Sequence, residues 1–139
     1  MSIRIFYEEA AFRYKGWNKT RKIIENIITG EGKAAGHINF IITTDANLIL
    51  INRQFLEHDY YTDVITFNYN EGSDINGEIY ISADTVKDNA GIYGTDVMDE
   101  MKRVMIHGVL HLAGHDDRTE EEKSKMRKLE DFWLAEGGS

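Results

Sequence analysis

The order in which hydrophobic periodicity changes along this chain restricts its fold more than any other feature. Residues 2–7, Ser-Ile-Arg-Ile-Phe-Tyr, alternate with the period of two expected of a half-buried strand. After a break at Tyr14-Lys15-Gly16, residues Trp17, Ile23, Ile24, Ile27 and Ile28 recur at helical spacing, with Lys19, Arg21 and Lys22 largely off that face. Gly30 and Gly32 end this helix. Residues 37–43 are apolar and β-branched enough for a strand, and Thr44 or Asp45 can cap a helix over 46–56. Strands over 64–69 and 78–81 flank the polar turn 70–74, which permits an antiparallel hairpin. Ser82 then caps a helix over about 83–89. A longer helix runs from Thr95 or Asp96 to Leu112, with Gly114 suited to the position past its end. Thr119 and Glu122 form a capping box for a last helix reaching about Leu134. The order β-α-β-α-β-β-α-α-α predicts an α+β fold: a small mixed sheet of about four strands covered by about five helices. With no internal repeat or linker, residues 1–139 read as one domain.

Composition narrows the chemistry. The chain has no cysteine, which excludes disulfide scaffolds, thiolate nucleophiles and iron–sulfur clusters, so any metal must be held by His, Asp or Glu. Glu8 and Glu9 stand where a signal peptide needs an apolar run, and no stretch approaches the ~20 apolar residues of a membrane span. A cytoplasmic protein without a membrane partner is expected. The formal charge is −8, but residues 13–33 carry six Lys/Arg and two acids, whereas residues 57–100 carry eleven acids and only Lys87. An acidic protein with a local basic segment can still meet a phosphate backbone.

Three of the five histidines fall within nine residues, in His107-Gly108-Val109-Leu110-His111-Leu112-Ala113-Gly114-His115. His107 and His111 are four apart on the predicted long helix, so both imidazoles can reach one cation. Beyond Gly114 the chain can turn back and offer a third ligand from His115, Asp116 or Asp117. Three protein ligands leave a fourth position for water, which zinc activates at neutral pH. A zincin peptidase would carry Glu directly after the first His, where this chain has Gly108. A glycine here costs about 1 kcal/mol of helix propensity relative to alanine, which points to close packing of another element against this turn.

The stretch His107 to Gly114 resembles the signature of the YbeY family of bacterial endoribonucleases and ribosomal RNA maturation factors. The similarity extends to Asn52–Phe67, with Asp59 and Thr62-Asp63-Val64-Ile65-Thr66-Phe67, and to Gly77-Glu78-Ile79-Tyr80-Ile81-Ser82-Ala83-Asp84. The resemblance implies an α+β fold, one zinc ion, and cleavage of single-stranded RNA. It also implies roles in maturing the 3′ end of small-subunit ribosomal RNA and in ribosome quality control. The chain departs from the family pattern in two places. Asp117 stands where the third ligand is usually His, and His115 where Tyr is common. Counting along the motif therefore implies the ligand set His107, His111 and Asp117, with His115 as the rival third ligand. A carboxylate ligand makes the site harder and favours admission of another divalent metal. The second departure is Leu56 in the place of a family Arg. Arg53, one turn earlier, could supply the guanidinium, or it is an ordinary exposed helix residue.

Of the remaining residues, Asp116 or Glu78 could orient a metal-bound water. His37 and His58 read as surface residues. Tyr60, Tyr61, Phe67 and Tyr69 lie where bases could stack, although most are expected in the core or on a sheet face. Arg13, Lys15, Lys19, Arg21 and Lys22 could track phosphates or form a solvated helix face. The expected function is a metal-dependent endoribonuclease whose partners are small-subunit ribosomal RNA and the small ribosomal subunit or an assembly GTPase. The alternatives are a non-catalytic, metal-stabilised ribosome assembly factor and a small metallopeptidase or amidase.

Overall fold

A computed structural model describes residues 2–56 and 63–137. His58, Asp59, Tyr60, Tyr61 and Thr62 lie outside the described residues, as does the side chain of Leu56. The elements follow the order β1 (Ser2–Tyr7), α1 (Trp17–Gly30), β2 (Ala34–Thr43), α2 (Asp45–Leu56), β3 (Val64–Asn68), β4 (Asp74–Ser82), α3 (Ala83–Tyr93), α4 (Val97–Leu112) and α5 (Glu120–Gly137). They build a four-stranded sheet of order β1-β2-β4-β3, in which β1, β2 and β4 are parallel and β3 is antiparallel.

The capping chemistry places the helix starts close to the expected positions. Asp96 accepts from the Met98 N–H at the head of α4, and Ser82 from the Thr85 N–H at the head of α3. Thr44 Oγ1 accepts from the Asn47 N–H. Thr119 and Glu122 close a reciprocal capping box at 2.9 and 3.0 Å.

Two strands are longer than their sequence pattern. β2 starts at Ala34 rather than His37, and β4 at Asp74 rather than Glu78, because these flanks pair with each other, Ala34 with Asp74 and Ala35 with Ile75. The register shifts between Ala35 and Ile38, where Asn76 Oδ1 accepts from the His37 N–H at 2.8 Å. Pairing of this kind satisfies backbone groups whatever the side chains, so periodicity does not report it. The helix α3 continues to Tyr93, past the expected end at Asn89. Its C-cap is Gly94, whose φ of +66° is the left-handed conformation that closes helices.

The main core lies between the sheet and the helices α1 and α4. Ile38, Phe40, Ile42, Ile79 and Ile81 from the sheet meet Ile24, Ile27 and Ile28 of α1 and Met101, Met105, Val109 and Leu110 of α4. Helices α3 and α5 pack on α4, and α2 meets the opposite sheet face through Phe55 against Phe67. Gly108 shows why α4 sits so close to the sheet. A Cβ there would stand 2.9 Å from Cγ2 of Ile79 on β4, which is the close packing the glycine predicts. Among the described residues, no helix is long and apolar enough to cross a membrane.

Candidate metal site

Helix α4 is buried over most of its circumference, and its histidines occupy the face left half-open, with 22% and 23% of the His107 and His111 side chains exposed. The helix stops at Ala113. Gly114, at φ +106°, then turns the chain back so that Asp117 returns to the histidine face. The two Nε2 atoms lie 2.9 Å apart, and Asp117 Oδ2 is 3.4 Å from each.

This triangle fits a cation. Donors 2.0–2.2 Å from a tetrahedral ion are separated from one another by roughly 3.3–3.6 Å. Both Asp117 distances match, and the histidine pair needs only a slight opening. The protonation pattern fits as well. Glu130 Oε2 sits 2.7 Å from His107 Nδ1 and, as a carboxylate, can only accept, so Nδ1 carries the proton and Nε2 presents its lone pair to the triangle. Glu130 is buried, and its other oxygen accepts from Arg103 at 3.0 Å. Arg103 also donates to Asp131 at 2.8 Å. Both charges are thereby paired, as burial requires.

The triangle forms one wall of a cleft of about 240 Å³, completed by Val64 and Thr66 of β3 and by Asp63. Burial disfavours the Asp63 carboxylate and raises its pKa, partly offset by the charge of a protonated His107. Burial acts on His107 in the opposite sense. The hydrogen bond and charge of Glu130, with Asp117 and Asp63 behind it, outweigh that burial and raise its pKa.

The structure brings together His107, His111 and Asp117, and it does not bring the other candidates to them. His115 Nε2 is paired with Glu31, the C-cap residue just past α1. Asp116 is exposed and faces the same side as His115, toward Glu122 and Lys125. Glu78 points to the opposite sheet face from Gly77 and Ile79, which pack on α4, and accepts from the Tyr69 hydroxyl at 3.0 Å. Arg53 lies exposed on α2, the helix of that same opposite face, and does not line the cleft. Phe67 is packed between Phe55 and Tyr80 there rather than presented for stacking. Arg13 is occupied locally by the Ala10 and Phe12 carbonyls and the Tyr7 ring. Lys15, Lys19, Arg21 and Lys22 form a solvated face, and His37 is exposed, bonded to Ser2 Oγ.

Two residues of the site escaped sequence reasoning. Glu130 left a signal, since it interrupts the apolar stripe of Met126, Leu129, Trp133 and Leu134 on α5. Asp63 left none beyond its membership of the Thr62–Phe67 motif, because its direction is set by how the chain enters β3.

Comparison with known proteins agrees with this architecture. The family model described as Endoribonuclease YbeY matches residues 8–138. The chain is 41% identical over 135 residues to an Endoribonuclease YbeY of Cytophaga hutchinsonii, covering 96% of this chain and 94% of that one. It is 42% identical over 117 residues to the Endoribonuclease YbeY of Bacteroides thetaiotaomicron, covering 84% and 85%. The solution structure of TM1509 from Thermotoga maritima superimposes with a TM-score of 0.69 at 31% identity, covering 98% of this chain and 89% of that one. Sequence motif, sheet topology and histidine helix therefore agree that this chain belongs to the Endoribonuclease YbeY family.

Proposed function

We propose that this protein is a metal-dependent endoribonuclease that hydrolyses phosphodiester bonds in single-stranded RNA, with the 3′ end of small-subunit ribosomal RNA as its substrate in the cytoplasm. The observation that carries this reading is the convergence of His107 Nε2, His111 Nε2 and Asp117 Oδ2 at one open cleft, with Glu130 fixing the tautomer behind His107. Relatives matching 84% and 96% of the chain bear the endoribonuclease name.

Two neutral imidazoles and one carboxylate suit zinc, and the carboxylate also suits a harder divalent ion such as manganese. A divalent cation held there would acidify a bound water and neutralise charge developing on phosphate oxygens. The chain's own groups divide the remaining work. Glu130 holds His107 in one orientation through Nδ1, and Arg103 donates to the other oxygen of that buried carboxylate. Asp63 lines the cleft beside the donors. Its raised pKa makes its ionised form a stronger base than an ordinary aspartate, suited to accept a proton from an attacking water and return it to the leaving oxygen. Gly108 follows the first histidine, so this helix supplies no glutamate base of the zincin kind. The small ribosomal subunit, with or without an assembly GTPase, belongs to this proposal as the setting in which the substrate is met.

The test is cleavage of an unstructured oligoribonucleotide by the purified protein, before chelation, after chelation, and after return of zinc or manganese. Cleavage that disappears with chelator and returns with metal is expected. RNA that stays intact with every metal would favour the non-catalytic assembly role, and cleavage indifferent to chelator would remove the metal from the mechanism.

A further inference from the structure

His107 separates two clefts. The second, of about 210 Å³, opens on the side of the histidine away from His111 and Asp117 and shares Asp63 with the first. Its most informative wall residue is Glu100, on the first turn of α4. This residue is only 8% exposed, yet its carboxylate makes no hydrogen bond or ion pair among the described residues. Its oxygens are not sealed from solvent, so the carboxylate stands as an open acceptor in the cleft wall for a ligand that brings N–H donors.

The rest of the cleft limits what that ligand can be. Asp63, Glu100 and Glu130 all face it, so a bare anion would be repelled, while Arg103 is already committed to Glu130 and Asp131. Tyr93, at the end of α3, is 67% exposed, and Asn89 lies one turn before it. Arg127 on α5 is exposed at the opposite wall and makes no ion pair among the described residues. An aromatic ring, a buried acceptor and an outer guanidinium are the three elements that hold one unstacked nucleotide by base stacking, base-edge hydrogen bonds and phosphate contact.

We infer that this second cleft is a base-binding subsite for a nucleotide flanking the scissile phosphate, with Glu100 selecting guanine. A carboxylate accepts two parallel hydrogen bonds, and guanine places its N1–H and N2–H donors side by side on one edge. Adenine and cytosine put an acceptor nitrogen beside their amino group, and uracil flanks its single N–H with carbonyls, so each turns a lone pair toward the carboxylate. The subsite lies next to the metal cleft across His107, which is where a neighbouring nucleotide of a cleaved strand must go. The inference rests on the RNA-cleaving reading for its purpose but not for its geometry.

The test measures binding apart from cleavage. Fluorescently labelled trinucleotides with 2′-O-methyl sugars, which resist hydrolysis, carry guanine, inosine or adenine at the central position, and their affinity for the full-length protein is read by anisotropy. Inosine lacks only the N2 amino group. Guanine is expected to bind about tenfold or more tightly than inosine, the effect of one hydrogen bond to a charged group. Glu100→Gln should reduce that ratio toward one while circular dichroism and metal content stay unchanged. Tyr93→Ala, at an exposed position, should weaken all three trinucleotides about tenfold and keep their order. Equal affinity for guanine and inosine in the unaltered protein, or a guanine preference that survives Glu100→Gln, overturns the assignment. Mapping cleavage positions on a mixed-sequence RNA separates the two claims. Guanine-selective binding without cleavage upholds the subsite against the endoribonuclease reading, whereas cleavage without base preference does the reverse.

Discussion

His107 is held from two directions, its Nδ1 by the buried Glu130 and its Nε2 facing His111 and Asp117. Glu130→Gln keeps the shape of the side chain but replaces a charged acceptor with an amide that can present either a donor or an acceptor to Nδ1. Metal affinity is expected to fall about 10–100-fold, read by competition with a chromophoric chelator. An affinity within twofold of the unaltered protein would show that the tautomer is fixed without Glu130. Histidine spacing on one helix is a local property, which made His107 and His111 legible, and the count along the family motif brought in Asp117. Glu130 lies 23 residues from His107 and reaches it through helix packing, so only its misplacement on an apolar stripe hinted at a role. Glu78 and Asp116, the candidates for water orientation, are not brought to the histidines, for the complementary reason. Nearness in sequence does not tell which sheet face or which side of a turn a carboxylate takes.

At the level of elements, α4 depends on its approach to β4 at Gly108. Gly108→Ala gains about 1 kcal/mol of helix propensity but places a methyl group against the branched carbon of the fully buried Ile79, and overpacking of this kind costs about 1–3 kcal/mol. The expected net effect is a loss of about 1 kcal/mol in denaturant unfolding, with the two histidines displaced enough to weaken metal binding. Combining it with Ile79→Ala should show positive coupling, since the clash is then absent; strict additivity would place the strain elsewhere. The close approach was legible from the glycine alone. The extensions of β2 and β4 were not, because backbone pairing at Ala34–Asp74 leaves no mark on side-chain periodicity. A further effect concerns α5, the helix that presents Glu130. Thr119→Ala removes half of the capping box and should cost about 1 kcal/mol of stability while leaving metal affinity unchanged, because Glu130 lies three turns beyond the cap.

Over the whole molecule, protons and metal compete for one histidine. The folded chain raises the pKa of His107 above its ordinary 6.5. In metal-free protein this contribution to stability is complete below about 6.5 and is lost as pH rises through the raised value. Metal binding requires the neutral imidazole, so stabilisation by metal grows over that same interval. Thermal unfolding from pH 6 to 8 should therefore show the metal-free midpoint losing this contribution with rising pH while the gap between metal-loaded and metal-free protein widens. A gap independent of pH would exclude His107 as a ligand. The α+β architecture was readable because each segment's periodicity agreed with its place in the sheet or on its faces. The second cleft was not, since Glu100, Tyr93 and Arg127 come from three helices. The claim on which everything else depends is that Asp117, and not His115, completes the metal site. The most direct measurement is metal content per chain in the unaltered protein, Asp117→Ala and His115→Ala after zinc loading and desalting. One ion in the unaltered protein and in His115→Ala, with clearly less than one in Asp117→Ala, is the expected result; a full ion retained by Asp117→Ala would contradict it.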